Sequence, residues 1–140
     1  MKVRFLVASL ALVLFALAVP ARAQSGVIAV KIPYEFTAGN RKLAAGQYLI
    51  NRPISTDPRV LGFRGDAKHQ KALVTTRAKT DEAPATDTEL IFARYGDVYY
   101  LRSVRVRGAR ELYEVPISSA ERAVAAKAAA VMITLKAEGK

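Results

Sequence analysis

The stretch Glu89–Val106, ELIFARYGDVYYLRSVRV, decides the fold. Apolar residues recur at every second position on both sides of Gly96-Asp97, a period that is typical of half-buried strands. Glycine at the first central position of a two-residue connection fits a type II′ turn, so the stretch predicts a β-hairpin. In the register that this turn implies, the facing pairs are Tyr95 and Val98, Arg94 and Tyr99, Phe92 and Leu101, and Leu90 and Ser103.

The two faces of this hairpin are both apolar. The predicted core face carries Leu90, Phe92, Tyr99 and Leu101. The opposite face is either covered by the helix predicted at Ser119–Ala129 or exposed as a surface for self-association or a partner. We favour the helix, because its alanine-rich face allows close approach. The residues of this second face are Ile91, Ala93, Tyr95, Val98, Tyr100 and Arg102.

The same alternation extends upstream of the hairpin. Val27–Phe36 predicts one strand, and Pro33 favours an edge position because it cannot donate to a strand ladder. The polar stretch Thr80–Thr88 predicts a mobile surface loop. Further strands are predicted up to Leu43 and at Gln47–Arg52, Val60–Arg64 and Lys71–Lys79.

Downstream of the hairpin the chain predicts a short strand at Glu111–Pro116, a helix and a closing strand at Val131–Leu135. Ser118 and Glu121 have the spacing of a capping box, in which each side chain binds the backbone amide of the other residue. Short strands with frequent turn signals predict a mainly β fold. We expect a small antiparallel β-sandwich or partly open β-barrel with one short C-terminal helix, preceded by a signal peptide.

Residues Met1–Ala23 have the features of that signal peptide. Lys2 and Arg4 precede an uncharged run of 15 residues, and the segment ends in a small-x-small pattern that signal peptidase accepts. An uncleaved membrane anchor is the alternative, but a helix of this run spans about 22 Å, short of the roughly 30 Å hydrocarbon core. We expect export through the Sec route, with residues 24–140 forming a single β-rich domain that is periplasmic or extracellular.

Composition excludes several classes of site. The chain has 140 residues, no Cys and one His, which rules out a disulfide framework, a thiol nucleophile and a site that needs two imidazoles. His69 reads as a solvated loop side chain. No serine lies in a nucleophile-elbow motif, and the acidic residues of the Thr80–Thr88 loop are solvated. We therefore predict no catalytic, cofactor-binding or metal-binding residues and a protein that is not an enzyme.

Several phrases of the sequence together resemble a family of short exported bacterial proteins of unknown function, common as paralogues in acidobacteria. The family pattern is a signal peptide followed by IPFDF, LPAGxY, RYGDxYFL, GRELP and SxAER. The chain departs from it at Ala44, where the pattern has Pro, and in LYEV before Pro116. The resemblance implies export and a β fold and supplies no catalytic residues. Its matching phrases are Ile32–Phe36, Lys42–Tyr48, Arg94–Leu101, Gly108–Leu112 and Ser118–Arg122.

The distribution of arginine is the one positive sign of a binding surface. The chain is basic, with 22 Lys and Arg against 12 Asp and Glu, and five arginines fall close together among tyrosines. Guanidinium groups match carboxylates and phosphates and stack on aromatic rings. The alternative is that these arginines are solvated, with one or two paired to Glu89 or Glu111. The predicted anion-binding surface consists of Arg94, Arg102, Arg105, Arg107, Arg110, Tyr95 and Tyr100.

Together these observations predict an exported, non-enzymatic β-domain that acts by binding or as an envelope or extracellular component. Its partner is an anionic envelope polymer or another exported protein; nucleic acid is disfavoured, and no membrane span remains after cleavage. The alternative is a carrier of a small apolar ligand, with a cavity inside a barrel.

Overall fold

The computed structural model describes residues 27–51, 59–67 and 70–137. The predicted signal peptide and His69 lie outside the described residues. The described elements are β1 (Ile28–Ile32), β2 (Phe36–Ala38), β3 (Arg41–Leu43), β4 (Gly46–Asn51), β5 (Val60–Gly65), β6 (Lys71–Thr75), β7 (Arg77–Thr80), β8 (Glu89–Tyr95), β9 (Val98–Arg105), β10 (Glu111–Glu114), α1 (Ser119–Ala125) and β11 (Val131–Lys136).

The strands form two sheets, which confirms the mainly β prediction. The smaller sheet has the order β1-β4-β5-β6 and is antiparallel throughout. The larger sheet has the antiparallel order β11-β8-β9-β10-β7 and curls into a half-barrel. Strand β2 joins this sheet through one parallel contact with β9, between Thr37 and Tyr100, and carries β3 on its other side. The hydrophobic core lies between the two sheets.

The central hairpin has the predicted turn but not the whole predicted register. Gly96 has a φ of 62°, and no described non-glycine residue has a positive φ, as a type II′ turn requires. Phe92 pairs with Leu101 as expected. A β-bulge then follows, so that Leu90 pairs with Val104 and not with Ser103. The extra residue of the bulge is Arg102, and a period-two pattern does not reveal such an insertion.

Two stretches that predict single strands are each divided between the sheets. The first is Val27–Phe36, which breaks at Pro33: β1 lies at the edge of the smaller sheet, and β2 belongs to the larger one. Proline cannot donate to a ladder, so the strand ends where pairing would continue. Burial still alternates across the break, because Ile32 and Phe36 both face the same core.

The second divided stretch is Lys71–Lys79, which breaks at Thr76. The Thr76 side chain is 1% exposed, and its amide and hydroxyl both donate to the backbone oxygen of Arg59, at 2.8 and 2.7 Å. These hydrogen bonds satisfy a buried polar residue and fix the corner between β6 and β7. The chain thereby passes from the edge of one sheet to the edge of the other.

Aromatic rings fill the space between the sheets. Phe36, which is 1% exposed, lies at the centre, with its ring 5.4 Å from Tyr48, 6.4 Å from Phe63 and 5.6 Å from Phe92. Tyr48 and Phe63 belong to the smaller sheet, and Phe92 belongs to the larger sheet. One side chain therefore joins both layers, and edge-on ring contacts add to the free energy gained by burial.

Tyr34 packs at the margin of this core. Its ring stacks on Tyr99 with centroids 3.8 Å apart and meets Phe92 edge-on at 5.3 Å. Its buried hydroxyl finds no hydrogen-bond partner among the described residues. Burial, with a smaller contribution from Tyr99, raises the pKa of Tyr34 to about 12. The side chain therefore contributes to packing as a neutral group.

Helix α1 is shorter than the predicted Ser119–Ala129, because it ends at Ala125. The alanines beyond it are exposed, so no packing offsets the entropy of extending a short helix. Its N-terminus is capped as predicted by Ser118, whose hydroxyl accepts a hydrogen bond from the Glu121 amide.

We expect Phe36→Ala to lower the free energy of unfolding by about 3–5 kcal/mol, because it opens a cavity between the sheets. The matched control is Leu73→Thr, a strand residue whose side chain is 69% exposed. This control should change the free energy of unfolding by less than about 0.5 kcal/mol. Urea unfolding measures both values. Equal losses in the two variants would contradict a core centred on Phe36.

Candidate functional site

The predicted anion-binding arginines occupy three different places. Arg94 shares the core-facing side of β8 with Phe92 and is half-buried near the hairpin turn. Arg102 and Arg105 lie on β9, where each pairs with a carboxylate of the chain itself. Arg107 and Arg110 are exposed in the connection between β9 and β10.

The carboxylate that binds Arg102 belongs to Glu121 of α1. The Glu121 residue is 2% exposed, and its Oε1 atom accepts hydrogen bonds from Tyr95 Oη at 3.1 Å and Arg102 Nη1 at 3.2 Å. We call Glu121, Tyr95 and Arg102 the Glu121 cluster. The capping-box prediction is therefore only half correct, since this carboxylate binds the sheet and not the Ser118 amide. Arg102 is also the extra residue of the β-bulge in β9.

Helix α1 covers part of the second apolar face of the hairpin, so the favoured prediction is correct for Ala93, Tyr95 and Tyr100, whereas Val98 is 44% exposed. Ala93, Tyr95 and Tyr100 are buried there against Val124, and the two tyrosine rings meet edge-on with centroids 5.9 Å apart. Burial and the hydrogen bond to Glu121 raise the pKa of Tyr95. Two tyrosines of the predicted anion-binding surface thus hold the helix on the sheet.

The carboxylate that binds Arg105 belongs to the loop predicted to be mobile. Arg105 Nη2 lies 2.8 Å from Asp81 Oδ2. Backbone hydrogen bonds also join Asp81 to Arg110 and Ala85 to Ala109. This loop is therefore tied to the connection between β9 and β10 at several points.

An open groove of about 1000 Å³ borders β6, which is an edge strand of the smaller sheet among the described residues, and extends to Gly62 of β5 and Asn51 of β4. Leu73 of β6 lies on one side, and Pro116 and Ile117, in the segment between β10 and α1, lie on the other. Ile117 and Leu73 are both exposed, so the groove offers apolar contact area to solvent. We call this feature the β6 groove.

The β6 groove is also cationic. Arg41, Arg64 and Lys71 line it, all three are exposed, and none forms an ion pair with another described residue. The described lining residues include no Asp or Glu. On the outer face of the smaller sheet, Arg64 and Lys71 are directly paired across β5 and β6, so two like charges stand side by side. Such a pair favours an anionic partner.

The β6 groove was not predicted from the sequence. Lys71 and Leu73 alternate with Ala72 and Val74, and that pattern shows which side chains face outward. It does not show that β6 lies at an edge, which depends on the corner at Thr76. The partner of Arg102 was missed for a similar reason, since Glu121 reads locally as a capping residue.

Comparison with known proteins identifies no relative. No protein-family model, curated protein or solved structure matches the chain. Within residues 27–51, 59–67 and 70–137, no three His, Cys, Asp or Glu side chains are grouped to hold a metal ion. The same described ranges contain no helix that is long and apolar enough to cross a membrane.

We expect Glu121→Ala to lower the free energy of unfolding by about 1–3 kcal/mol, because it leaves Arg102 and the Tyr95 hydroxyl without their shared acceptor. Tyr95→Phe alone should cost about 0.5–1.5 kcal/mol. Glu111→Ala is the matched control, since Glu111 is exposed on β10 and forms no ion pair with a described residue.

The double variant tests whether the cluster acts as a unit. The effects of Glu121→Ala and Tyr95→Phe should fall short of additive by about 0.5 kcal/mol or more, measured by urea unfolding. Additive losses would show that the two residues stabilise the protein independently.

Proposed function

We propose that the mature chain is an exported, non-enzymatic binding domain that recognises an anionic partner through the β6 groove. The partner classes are those indicated by the sequence, an anionic envelope polymer or another exported protein. The function is the one predicted from the sequence, but the binding site lies at the edge of the smaller sheet and not at the hairpin arginines.

One observation carries the proposal. The β6 groove combines three cationic side chains without a described ion-pair partner, no acidic lining and an exposed apolar residue on each side. Most of the predicted hairpin surface is engaged within the molecule instead, since Arg102 and Arg105 bind carboxylates of the chain. Arg107 and Arg110 form a second, smaller basic region, which serves as an internal comparison.

The carrier of a small apolar ligand is the alternative function. It would require an apolar cavity between the sheets, and the rings of Phe36, Tyr48, Phe63 and Phe92 contact one another in that space. These contacts favour recognition at the surface.

Export remains part of the proposal. The leader Met1–Ala23 directs the chain through the Sec route to the periplasm or the cell exterior, and the resemblance to a family of exported acidobacterial proteins supports the same location. At neutral pH a basic domain is attracted to the anionic polymers and acidic proteins of that compartment.

We expect the mature domain to bind immobilised heparin and to elute as salt is raised, because ions screen exposed charges. Arg64→Glu combined with Lys71→Glu should weaken binding at low salt by about tenfold or more. The matched control is Arg107→Glu with Arg110→Glu, which makes the same charge change on the second basic region. Equal weakening by the two pairs, or no retention of the parent domain, would refute the groove as the anion site.

We expect the exported chain to begin at Gln24. Ala23→Phe should block processing, because the peptidase pocket accepts only small side chains at this position. The measurement is the intact mass of the protein recovered from the periplasm or medium of a Gram-negative host. Gln24→Ala, which leaves the small-x-small pattern intact, is the control. An unprocessed parent chain held in the membrane fraction would instead support an anchor.

A further inference from the structure

We propose that β6 is an acceptor strand, and that its partner is an extended acidic protein segment that adds to the edge of the smaller sheet. This inference rests on the proposed function and names the class of partner. It differs from general anion binding in requiring a polypeptide backbone, which polysaccharides and lipids lack.

Backbone hydrogen bonds determine which groups of β6 are free. The Thr76 amide donates to the carbonyl oxygen of Arg59, so this residue pair is one that exchanges hydrogen bonds between β5 and β6. Such pairs alternate along an antiparallel ladder, and the backbone groups of Ala72 and Val74 therefore also face β5. The groups that face away from β5, towards the β6 groove, belong to Lys71, Leu73 and Thr75.

The groove supplies space beside these groups. Within the described residues no strand pairs with β6 on this side, and the segment holding Pro116 and Ile117 lies across the groove without hydrogen-bonding to it. An extended segment laid along β6 would therefore gain backbone hydrogen bonds on one side and apolar contacts on the other. This is the mode of recognition in which a peptide extends an open sheet.

The groove also determines the side-chain pattern of the partner. Successive side chains of an added strand point to opposite faces of the sheet. Those on the outer face would lie beside Lys71, Leu73 and Thr75, and the position beside Lys71, with Arg64 one strand further in, favours a carboxylate. Those on the inner face would lie beside Val74 and against Val115 and Ile117, which selects apolar side chains. The partner segment should therefore carry apolar residues on its inner face and a carboxylate on its outer face beside Lys71, a requirement that alternating acidic and apolar residues meet.

A second copy of the chain is the competing occupant. Pairing of two β6 strands would bring together two grooves that each carry Arg41, Arg64 and Lys71 and no described acidic residue. Charge therefore favours an acidic segment over self-pairing.

Amide hydrogen exchange, followed residue by residue by NMR, tests the proposal. The probe is a short capped peptide of alternating glutamate and valine. In the free domain the amides of Ala72, Val74 and Thr76 should be protected, and those of Lys71, Leu73 and Thr75 should exchange rapidly. At saturating peptide the second set should slow by about tenfold or more, with little change in the first.

Two further probes separate charge from strand pairing. Heparin should bind in a salt-sensitive manner but leave the exchange of the Lys71, Leu73 and Thr75 amides rapid. A peptide of the same composition, with its glutamates in one block and its valines in another, should bind more weakly than the alternating peptide. Equal binding of the two peptides would overturn the predicted side-chain pattern.

Proline variants test the backbone directly. Leu73→Pro removes an amide that faces the groove, and it should abolish binding of the alternating peptide while preserving binding to heparin. Leu73→Thr removes the same apolar side chain of the groove but keeps the amide, so it should weaken peptide binding far less than Leu73→Pro does. Thr134→Pro makes the same type of change on β11, the edge of the larger sheet, and should leave peptide binding intact. Thermal unfolding verifies that each variant folds. If Leu73→Pro fails to fold, the hydrogen-exchange measurement on the parent domain still tests the proposal.

The outcomes separate this inference from the proposed function. Peptide binding without slowed exchange at Lys71, Leu73 and Thr75 would overturn strand addition and leave anion binding at the groove in place. If the exchange of these three amides slowed as the protein concentration was raised in the absence of peptide, a second copy would be the occupant. That result would overturn the acidic partner. Failure of heparin and both peptides to bind would reject the proposed function itself.

Discussion

Thr76 donates its amide and its hydroxyl to one carbonyl oxygen, that of Arg59, and the shape of one side of the sandwich depends on this interaction. The chain arrives at the corner as β6 and leaves it as β7, in the other sheet. Without this change of sheet, the Lys71–Lys79 stretch would continue as one strand. Because of the corner, β6 is an edge strand of the smaller sheet and β7 is an edge strand of the larger sheet. The β6 groove borders the first of these strands.

Much of the fold could be predicted because its physical basis is local. Alternation identified the strand segments and the core side chains, and Gly96 identified the hairpin turn, since few other residues adopt its backbone angle. The division of strands at Pro33 and Thr76 could not be predicted in the same way. A break in pairing depends on which strand lies alongside, and sequence periodicity contains no information about that neighbour. The insertion at Arg102 is a third case, because a bulge changes the register without a change in composition.

In the candidate site, too, local features could be predicted from the sequence and long-range contacts could not. The richness in arginine was visible in the sequence, but the destination of each charge was not, because the carboxylates of Glu121 and Asp81 come from segments 19 and 24 residues away from their arginines. Arg102 thus helps to hold α1 over a tyrosine pair, and Arg105 anchors a loop. Cations without a described partner remain on β3, β5 and β6, where the sequence shows only scattered lysines and arginines on short strands.

The order in which the strands occur along the chain affects folding. β11 is the last described strand, and it pairs with β8 along Val131–Lys136. Before β11 docks, β9 is the one described strand beside β8, and the opposite edge of β8 is open to any strand that it encounters. A folding intermediate without docked β11 would have an incomplete larger sheet and would be prone to aggregation. Docking of β11 therefore protects the larger sheet from pairing with the wrong strand.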